Sequence, residues 1–99
     1  MEIRIQSIHF DADKKLLEHI EERVQKLSTI FERIVDIDVY LKFESASSQV
    51  KDKTAELKIN LPGATLFATS TNKSFEEAID HDLSSIKRQL KKYKEKIKN

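Results

Sequence analysis

Two long stretches of this chain carry apolar residues at helical spacing, and a region of alternating residues lies between them. In the second stretch the apolar positions are 4, 4, 3, 4, 3 and 4 residues apart: Phe75, Ile79, Leu83, Ile86, Leu90, Tyr93 and Ile97. This spacing places one apolar stripe along a helix. Ser74 and Glu77 have capping-box spacing, so the helix is predicted to begin there. Because the helix is longer than a small sheet needs, we expect its last turns to extend past the core.

The first helical stretch predicts a helix of about five turns. Its apolar positions are 4, 4, 3, 4 and 3 residues apart: Leu16, Ile20, Val24, Leu27, Phe31 and Ile34. Asp11 or Asp13 is expected to cap it. The loosely alternating residues 3–9 before the cap predict a first strand.

The region between the helices predicts three strands. Residues 37–43 alternate strictly between apolar and polar side chains, residues 54–61 alternate again, and Pro62-Gly63 favours a turn. Residues 45–49 are predicted to form a loop, and residues 64–70 a further strand in which Phe67 is packed. The fold class is therefore α+β, with the order β-α-β-β-β-α. We expect a four-stranded sheet whose last three strands form an antiparallel meander, with both helices packed on one face.

Length and composition limit the classes of function that this protein can have. Ninety-nine residues predict one domain spanning 1–99. The absence of cysteine excludes disulfides, thiolate metal sites and a cysteine nucleophile. The sequence has no glycine-rich phosphate loop, no HExxH pattern and no apolar run of membrane-spanning length. We expect a cytoplasmic protein without cofactor, metal or enzymatic activity.

Charge is distributed unevenly, although the net charge is only +1. Residues 87–98 hold seven basic residues and one acidic residue, a balance of +6, and the other residues together have a balance of −5. A basic segment on an acidic body favours an anionic polymer or surface as partner, although a solvated lysine-rich helix end is an equally ordinary explanation.

The basic residues of the second helix lie off its apolar stripe. One row contains Lys87, Lys91, Lys94 and Lys98, and a second row beside it contains Arg88 and Lys92, with Lys96 nearby. Rows of this kind can follow a phosphate backbone and release its counterions. On the first helix, Arg23, Lys26 and Arg33 share one side and would join these rows if the helices pack side by side. Tyr93 could stack on a base, but its place in the stripe favours a packed ring.

Three segments give the chain a family resemblance: SFEEAID at 74–80, KRQLKKYK at 87–94, and RVQKL at 23–27 followed by Phe31. Together they resemble the ribosome hibernation-promoting factor and ribosome-associated inhibitor family over nearly the whole chain. The resemblance implies the same β-α-β-β-β-α order and a shape similar to a double-stranded-RNA-binding domain. It also implies binding to the small ribosomal subunit and its rRNA, in the channel for mRNA and tRNAs, and inhibition of translation in starved cells.

The resemblance also implies site residues. Basic family positions that touch rRNA match Arg23, Lys26, Arg88, Lys92 and Lys96. Ser85 and Thr29 depart from the family pattern, because many relatives have lysine there, and Lys87, Lys91 and Arg33 are expected to compensate. The complete set of expected RNA-binding residues is Arg23, Lys26, Arg33, Lys87, Arg88, Lys91, Lys92, Lys94 and Lys96.

The chain ends after the second helix, whereas long relatives add a linker and a domain that pairs two ribosomes. The resemblance is therefore to a short form or a truncated form, and we expect a monomer when the protein is free. Two alternatives stay open from the sequence. The amphipathic helix 75–97 could pair with a partner helix, or it could lie on an anionic membrane surface.

Overall fold

The computed structural model describes residues 1–44 and 52–97. The order along the chain is β1 (Glu2–Ser7), α1 (Lys14–Gln25), a short 3₁₀ helix (Lys26–Thr29), β2 (Asp36–Glu44), β3 (Asp52–Leu61), β4 (Ala64–Asn72) and α2 (Phe75–Ile97). The predicted α+β fold and its β-α-β-β-β-α order are confirmed. The loop predicted at 45–49 lies outside the described residues.

The four strands form one mixed sheet in the order β1-β2-β3-β4. β1 pairs parallel to β2, while β2, β3 and β4 are antiparallel neighbours, so the predicted meander is confirmed. The turn between β3 and β4 contains Gly63 at φ +77°, a left-handed conformation that favours glycine. The first strand reaches the sheet as a parallel neighbour because α1 carries the chain back across it.

One face of the sheet is covered by both helices. The register sets Ile37, Val39 and Leu41 of β2 against Ile59, Leu57 and Ala55 of β3, and all six side chains are fully buried. The helices add further members to the same core: Ile20, Val24, Leu27, Phe75, Ala78, Ile79, Leu83, Ile86 and Leu90. The inward-facing side chains of the strands and the apolar stripes of the helices therefore pack together in one layer, as the sequence predicts.

The first helix is shorter than predicted. Asp13 is its N-cap and accepts a hydrogen bond from the Leu16 amide at 2.8 Å, but α1 ends at Gln25 and continues only as the 3₁₀ helix. Ser28 Oγ donates to the Gln25 carbonyl oxygen at 2.8 Å, and Thr29 Oγ1 donates to the Lys26 carbonyl oxygen at 2.7 Å. Hydroxyl groups that bond to nearby carbonyl oxygens compete with helix continuation.

The apolar residues beyond this helix end are buried all the same. Phe31 and Ile34 keep 7% and 6% exposure although both lie past the last helical turn. The apolar periodicity thus predicted burial correctly and helical backbone incorrectly.

The second helix matches its predicted start and its predicted extension. Ser74 Oγ accepts a hydrogen bond from the Glu77 amide at 3.1 Å, which caps α2. Tyr93 is packed as favoured: its ring lies edge-on to Phe31 with centroids 5.6 Å apart, and its hydroxyl donates to the Pro62 carbonyl oxygen at 3.1 Å. Beyond Tyr93 the stripe is no longer covered, because Ile97 is 48% exposed.

The prediction that Phe67 is packed was wrong. The register places Ala68 beside Leu57 on the helix-covered face, so its neighbour Phe67 points to the other face and is 55% exposed. Lys58 Nζ lies 5.9 Å from the centroid of the Phe67 ring.

Candidate nucleic-acid interface

A groove runs along the line where α1 and the 3₁₀ helix lie beside α2, and we call it the helix seam. It consists of three cavities of about 310, 320 and 510 Å³. The first and second share Lys87, and the second and third share Ile30 and Lys94, so the three cavities follow one another along α2. The residues that line it are Arg23, Lys26, Thr29, Ile30, Phe31, Glu32, Arg33, Asp80, Leu83, Ser84, Lys87, Lys91, Lys94, Glu95 and Ile97.

An ion pair joins the two helices at the first end of the seam. Arg23 Nη1 lies 3.1 Å from Asp80 Oδ1, and both side chains are about half exposed. A pair this exposed contributes little to stability, but it holds the guanidinium over the cavity that Lys26, Ser84 and Lys87 line. Because a guanidinium has five N–H donors, one carboxylate contact leaves Arg23 able to bind an anion as well.

The middle of the seam is bounded by lysines of α2 on one side and by the end of the 3₁₀ segment on the other. Lys94 Nζ donates to the carbonyl oxygen of Ile30 at 3.1 Å, which connects α2 to the chain beyond the 3₁₀ helix. Lys87, Lys91 and Glu95 line the same cavity. At the far end Arg33 lies with Lys94 and Ile97.

Arg33 reaches the seam by a different route from the predicted one. It was expected on the first helix with Arg23 and Lys26, but α1 ends at Gln25, so Lys26 belongs to the 3₁₀ helix and Arg33 lies in the segment that leads to β2. The predicted merging of basic residues from both parts of the chain is nevertheless observed, since Arg23, Lys26 and Arg33 all line the seam.

The second basic row lies outside the seam. Arg88 and Lys92 follow Lys87 and Lys91 by one residue each, so they point about 100° further around α2. These two residues and Lys96 are exposed and line none of the three seam cavities. The nine expected residues therefore divide into six at the seam and three on the neighbouring outer face of the helix.

Charges on the uncovered face of the sheet are arranged differently. Arg4 binds Asp38 with Nε–Oδ1 at 2.7 Å, and its other nitrogens lie 3.1 Å from Asp36 and 2.8 Å from Glu2. The Asn60 amide donates to Asp36 and, with Arg4, lowers the pKa of that carboxyl; Arg4 likewise lowers the pKa of Asp38. Within residues 1–44 and 52–97, by contrast, Lys26, Lys87 and Lys91 have no ion-pair partner.

A buried carboxyl lies on the sheet side of α2. Asp82 is 1% exposed, and neither of its oxygens has a hydrogen-bond partner in the described part of the chain. The nearby Ser70 hydroxyl donates to the Ala78 carbonyl oxygen at 2.8 Å. Burial raises the pKa of Asp82 to about 7, and Glu56 adds to the rise. Nothing in the sequence indicated this burial, because a carboxylate on a helix rich in charged residues is ordinarily solvated.

The seam also contains residues that were not expected there from sequence, among them three polar residues of α2 and Ile30. Asp80, Ser84 and Glu95 carry no signal beyond their places on α2, and Ile30 lies outside the apolar stripe. In the described part of the chain, no group of three His, Asp or Glu side chains is placed to hold a metal ion, and no helix is both long and apolar enough to cross a membrane.

An α+β sheet with a basic groove on its helix layer makes this chain a candidate polyanion-binding protein. The chain belongs to the Sigma 54 modulation protein / S30EA ribosomal protein family, whose sequence profile matches residues 3–98. The family resemblance carried by the three sequence segments is thereby confirmed.

Individual proteins are also similar to this chain. The ribosome hibernation promoting factor of Pseudomonas putida is 27% identical over 96 residues, which cover 97% of this chain and 89% of that protein. The ribosome hibernation promoting factor of Escherichia coli K12 is 26% identical over 98 residues, covering 99% and 98%. A ribosomal subunit interface protein from Coxiella burnetii shares the fold at a TM-score of 0.81, with 21% identity and coverage of 95% and 98%.

Proposed function

We propose that this chain is a ribosome-associated translation inhibitor that binds rRNA of the small subunit in the mRNA–tRNA channel. The family and the names of its relatives support a ribosomal role. The observation that carries the proposal is the helix seam, which collects basic side chains from α1, from the segment before β2 and from α2 into one groove.

The seam suits an RNA backbone for electrostatic reasons. Each ammonium or guanidinium that meets a phosphate releases a counterion, and such contacts supply much of the affinity of nucleic-acid binding. The lysines of the seam can supply these contacts without breaking internal ion pairs, since Lys26, Lys87 and Lys91 have none among the described residues. The acidic sheet face would be repelled by phosphates, so it should face away from the RNA.

Inhibition in this proposal is steric and reversible. The protein occupies the channel as a monomer acting in the cytoplasm, residues 1–99 form one ribosome-binding domain, and no bond is made or broken. Pairing of α2 with a partner helix or a membrane is disfavoured, because its apolar stripe from Phe75 to Leu90 is already buried against the sheet.

Co-sedimentation with purified ribosomal subunits tests the proposal. The protein should pellet with small subunits at about one copy per subunit, and small subunits already loaded with mRNA and tRNA should bind much less of it. In vitro translation should fall in proportion to the protein added. Equal binding to loaded and empty small subunits would rule out the channel, and inactivation by far less than one copy per ribosome would reveal a catalytic activity.

A further inference from the structure

The middle of the helix seam differs from its ends because its surface is mainly carbon. The cavity there, of about 320 Å³, is lined by Ile30 and by the side chains of Lys87, Lys91, Lys94 and Glu95. A lysine has a four-carbon stem that can lie along apolar surface while its ammonium group stays in water. This part of the groove is therefore apolar within and cationic at its rim.

A row of phosphates would contact only the ammonium groups of this cavity and would not need its carbon surface. A duplex backbone laid across the seam would meet the ammonium groups at the rim and leave the carbon surface between them uncovered. Cavities of a few hundred Å³ with apolar walls and a few polar groups are typical of sites for small organic groups. An unpaired nucleotide has both features that this site can bind. Its base has apolar faces that fit the carbon surface, and its phosphate is an anion that fits the lysines.

Glu95 gives the site a second chemical property. It lines the same cavity as three lysines, and its negative charge there repels phosphate. A carboxylate accepts a hydrogen bond from an exocyclic amino group such as N4 of cytosine. Adenine and guanine also carry an exocyclic amino group, whereas uracil has none.

The wall of the cavity is held in place before any ligand arrives. The hydrogen bond from Lys94 Nζ to the Ile30 carbonyl oxygen, at 3.1 Å, fixes the lysine against the residue that provides the apolar surface. Ile30 itself is anchored, because its amide donates to the Leu27 carbonyl oxygen at 3.0 Å. A preformed cavity loses less conformational freedom when a base enters it.

We propose that the middle of the helix seam holds one unpaired RNA base, which packs on Ile30 and donates its exocyclic amino group to Glu95. Phosphates on either side of that base meet Lys87 and Lys91. This inference rests on the proposed function, and it adds a base-reading position to a surface that otherwise recognises only the charge of the backbone.

Methyl NMR of the full chain with defined RNA probes tests the inference. The probes are single-stranded oligocytidylate, oligouridylate and an abasic oligomer of equal length, together with a fully paired duplex. The ring current of a packed base should move the Ile30 methyl signals upfield with oligocytidylate. Ile30 should move little with the abasic oligomer or the duplex, and Ile8, which is 38% exposed and lines a cavity on the sheet face, serves as the reference methyl.

Affinities of the same probes test the role of Glu95. Oligocytidylate should bind about fivefold more tightly than oligouridylate, the lower end of what one base-edge contact supplies. Glu95→Ala should raise the affinity for oligouridylate, since it removes a repelling charge, and should bring the ratio of the two affinities close to one, because oligocytidylate also loses its hydrogen bond to Glu95. Glu22→Ala is the matched control: it removes the same charge from an exposed position that lines no seam cavity, and the preference for cytidine should persist.

Small-subunit co-sedimentation separates this inference from the proposed function. If the protein binds small subunits but the abasic oligomer moves Ile30 as far as oligocytidylate does, the seam reads only phosphates and the inference is wrong. An equal affinity for the two base-containing oligomers would remove the role of Glu95 in the same way. If the protein binds neither oligomers nor small subunits, the proposed function fails as well.

Discussion

The uncovered sheet face and the helix seam both carry many charges, but they use them in opposite ways. On the sheet face Arg4 contacts three carboxylates, and the Asn60 amide donates to two of them from the neighbouring strand. Among the seam residues that the structure describes, only Arg23 and Asp80 form an ion pair. Charges that neutralise one another hold strands together, whereas the solvated basic groups of the seam, which outnumber its acidic groups, are available to a partner. The comparison predicts that substitutions on the sheet face change stability and that substitutions in the seam change binding.

The largest expected effect is on binding. Replacing Lys87, Lys91 and Lys94 together by Gln should weaken small-subunit binding about 100-fold at physiological salt, the loss expected for three phosphate contacts. The fold should persist, because all three side chains are exposed and lie off the apolar stripe of α2. Equilibrium binding to small subunits measures the first effect, and circular dichroism with thermal unfolding measures the second. A variant that loses stability as well as binding would contradict the proposal that seam residues serve binding and sheet-face residues serve stability.

The next effect concerns a carboxyl group that is buried instead of solvated. The folded-state pKa of Asp82 is raised from 3.8 to about 7, so the unfolded chain releases this proton at lower pH than the folded chain does. The stability contributed by the protonated carboxyl is therefore lost as pH rises from about 4 toward 7. Between pH 5 and pH 8 the free energy of unfolding should fall by about 2 to 3 kcal/mol from this group.

Asp82→Asn removes the titration and should make the free energy of unfolding less dependent on pH in that range. Denaturant unfolding at a series of pH values measures it, and contributions from the three histidines cancel when the two proteins are compared. Asp11→Asn, at an exposed position, is the control and should keep the wild-type decline. Parallel curves for wild type and Asp82→Asn would show that Asp82 ionises in the folded protein as it does in the unfolded one.

A smaller effect is expected at the start of α2. Ser74→Ala removes the side chain that accepts from the Glu77 amide and should cost about 1 kcal/mol of stability. Ser74→Asp should restore most of the loss, since aspartate is also a good N-cap. Thermal unfolding measures both variants. Small-subunit affinity, measured well below the melting temperature, should be unchanged, and a reduced affinity at unchanged stability would place Ser74 in the interface.

The smallest effect is expected on the sheet face. Arg4→Gln leaves Asp36 and Asp38 without their guanidinium partner, and it should lower the melting temperature slightly, because Arg4 is nearly half exposed and solvent screens the pairs. The loss should shrink as salt is added, since salt screens the pairs. Binding to small subunits should not weaken. A marked loss of binding would mean that the sheet face also takes part in recognition.

Much of the fold could be predicted from periodicity, because each apolar pattern here matches the structure that buries it. The alternation over 37–43 and the stripe over 75–90 predicted the two surfaces that form the core. Periodicity gave wrong predictions where local hydrogen bonds decide the backbone conformation or where strand register decides which side chain is buried. Ser28 and Thr29 bond through their hydroxyl groups to carbonyl oxygens at the end of the first helix, although the apolar spacing continues to Ile34. Phe67 is exposed because the pairing with β3 gives Ala68 the inner position.

The site was predictable in its composition but not in its shape. The basic residues are visible in the sequence, and the packing of α1 beside α2 was stated as the condition for their merging. Ile30 and Asp80 could not be assigned to the site, because their roles arise from contacts with Lys94 and Arg23 across more than fifty positions of sequence. Asp82 was missed since a carboxylate on a charged helix is ordinarily solvated.

The most direct test of the division between paired and available charges is a salt titration of small-subunit binding. Three proteins are compared: wild type, the Lys87/Lys91/Lys94→Gln variant, and a control in which Lys14, Lys15 and Lys73 are replaced by Gln. The control removes the same charge from exposed positions outside the seam. The slope of log affinity against log salt should become shallower by about 2 to 3 in the seam variant and stay at the wild-type value in the control. Equal slopes for all three folded proteins would show that the seam does not meet phosphates, and would contradict the account.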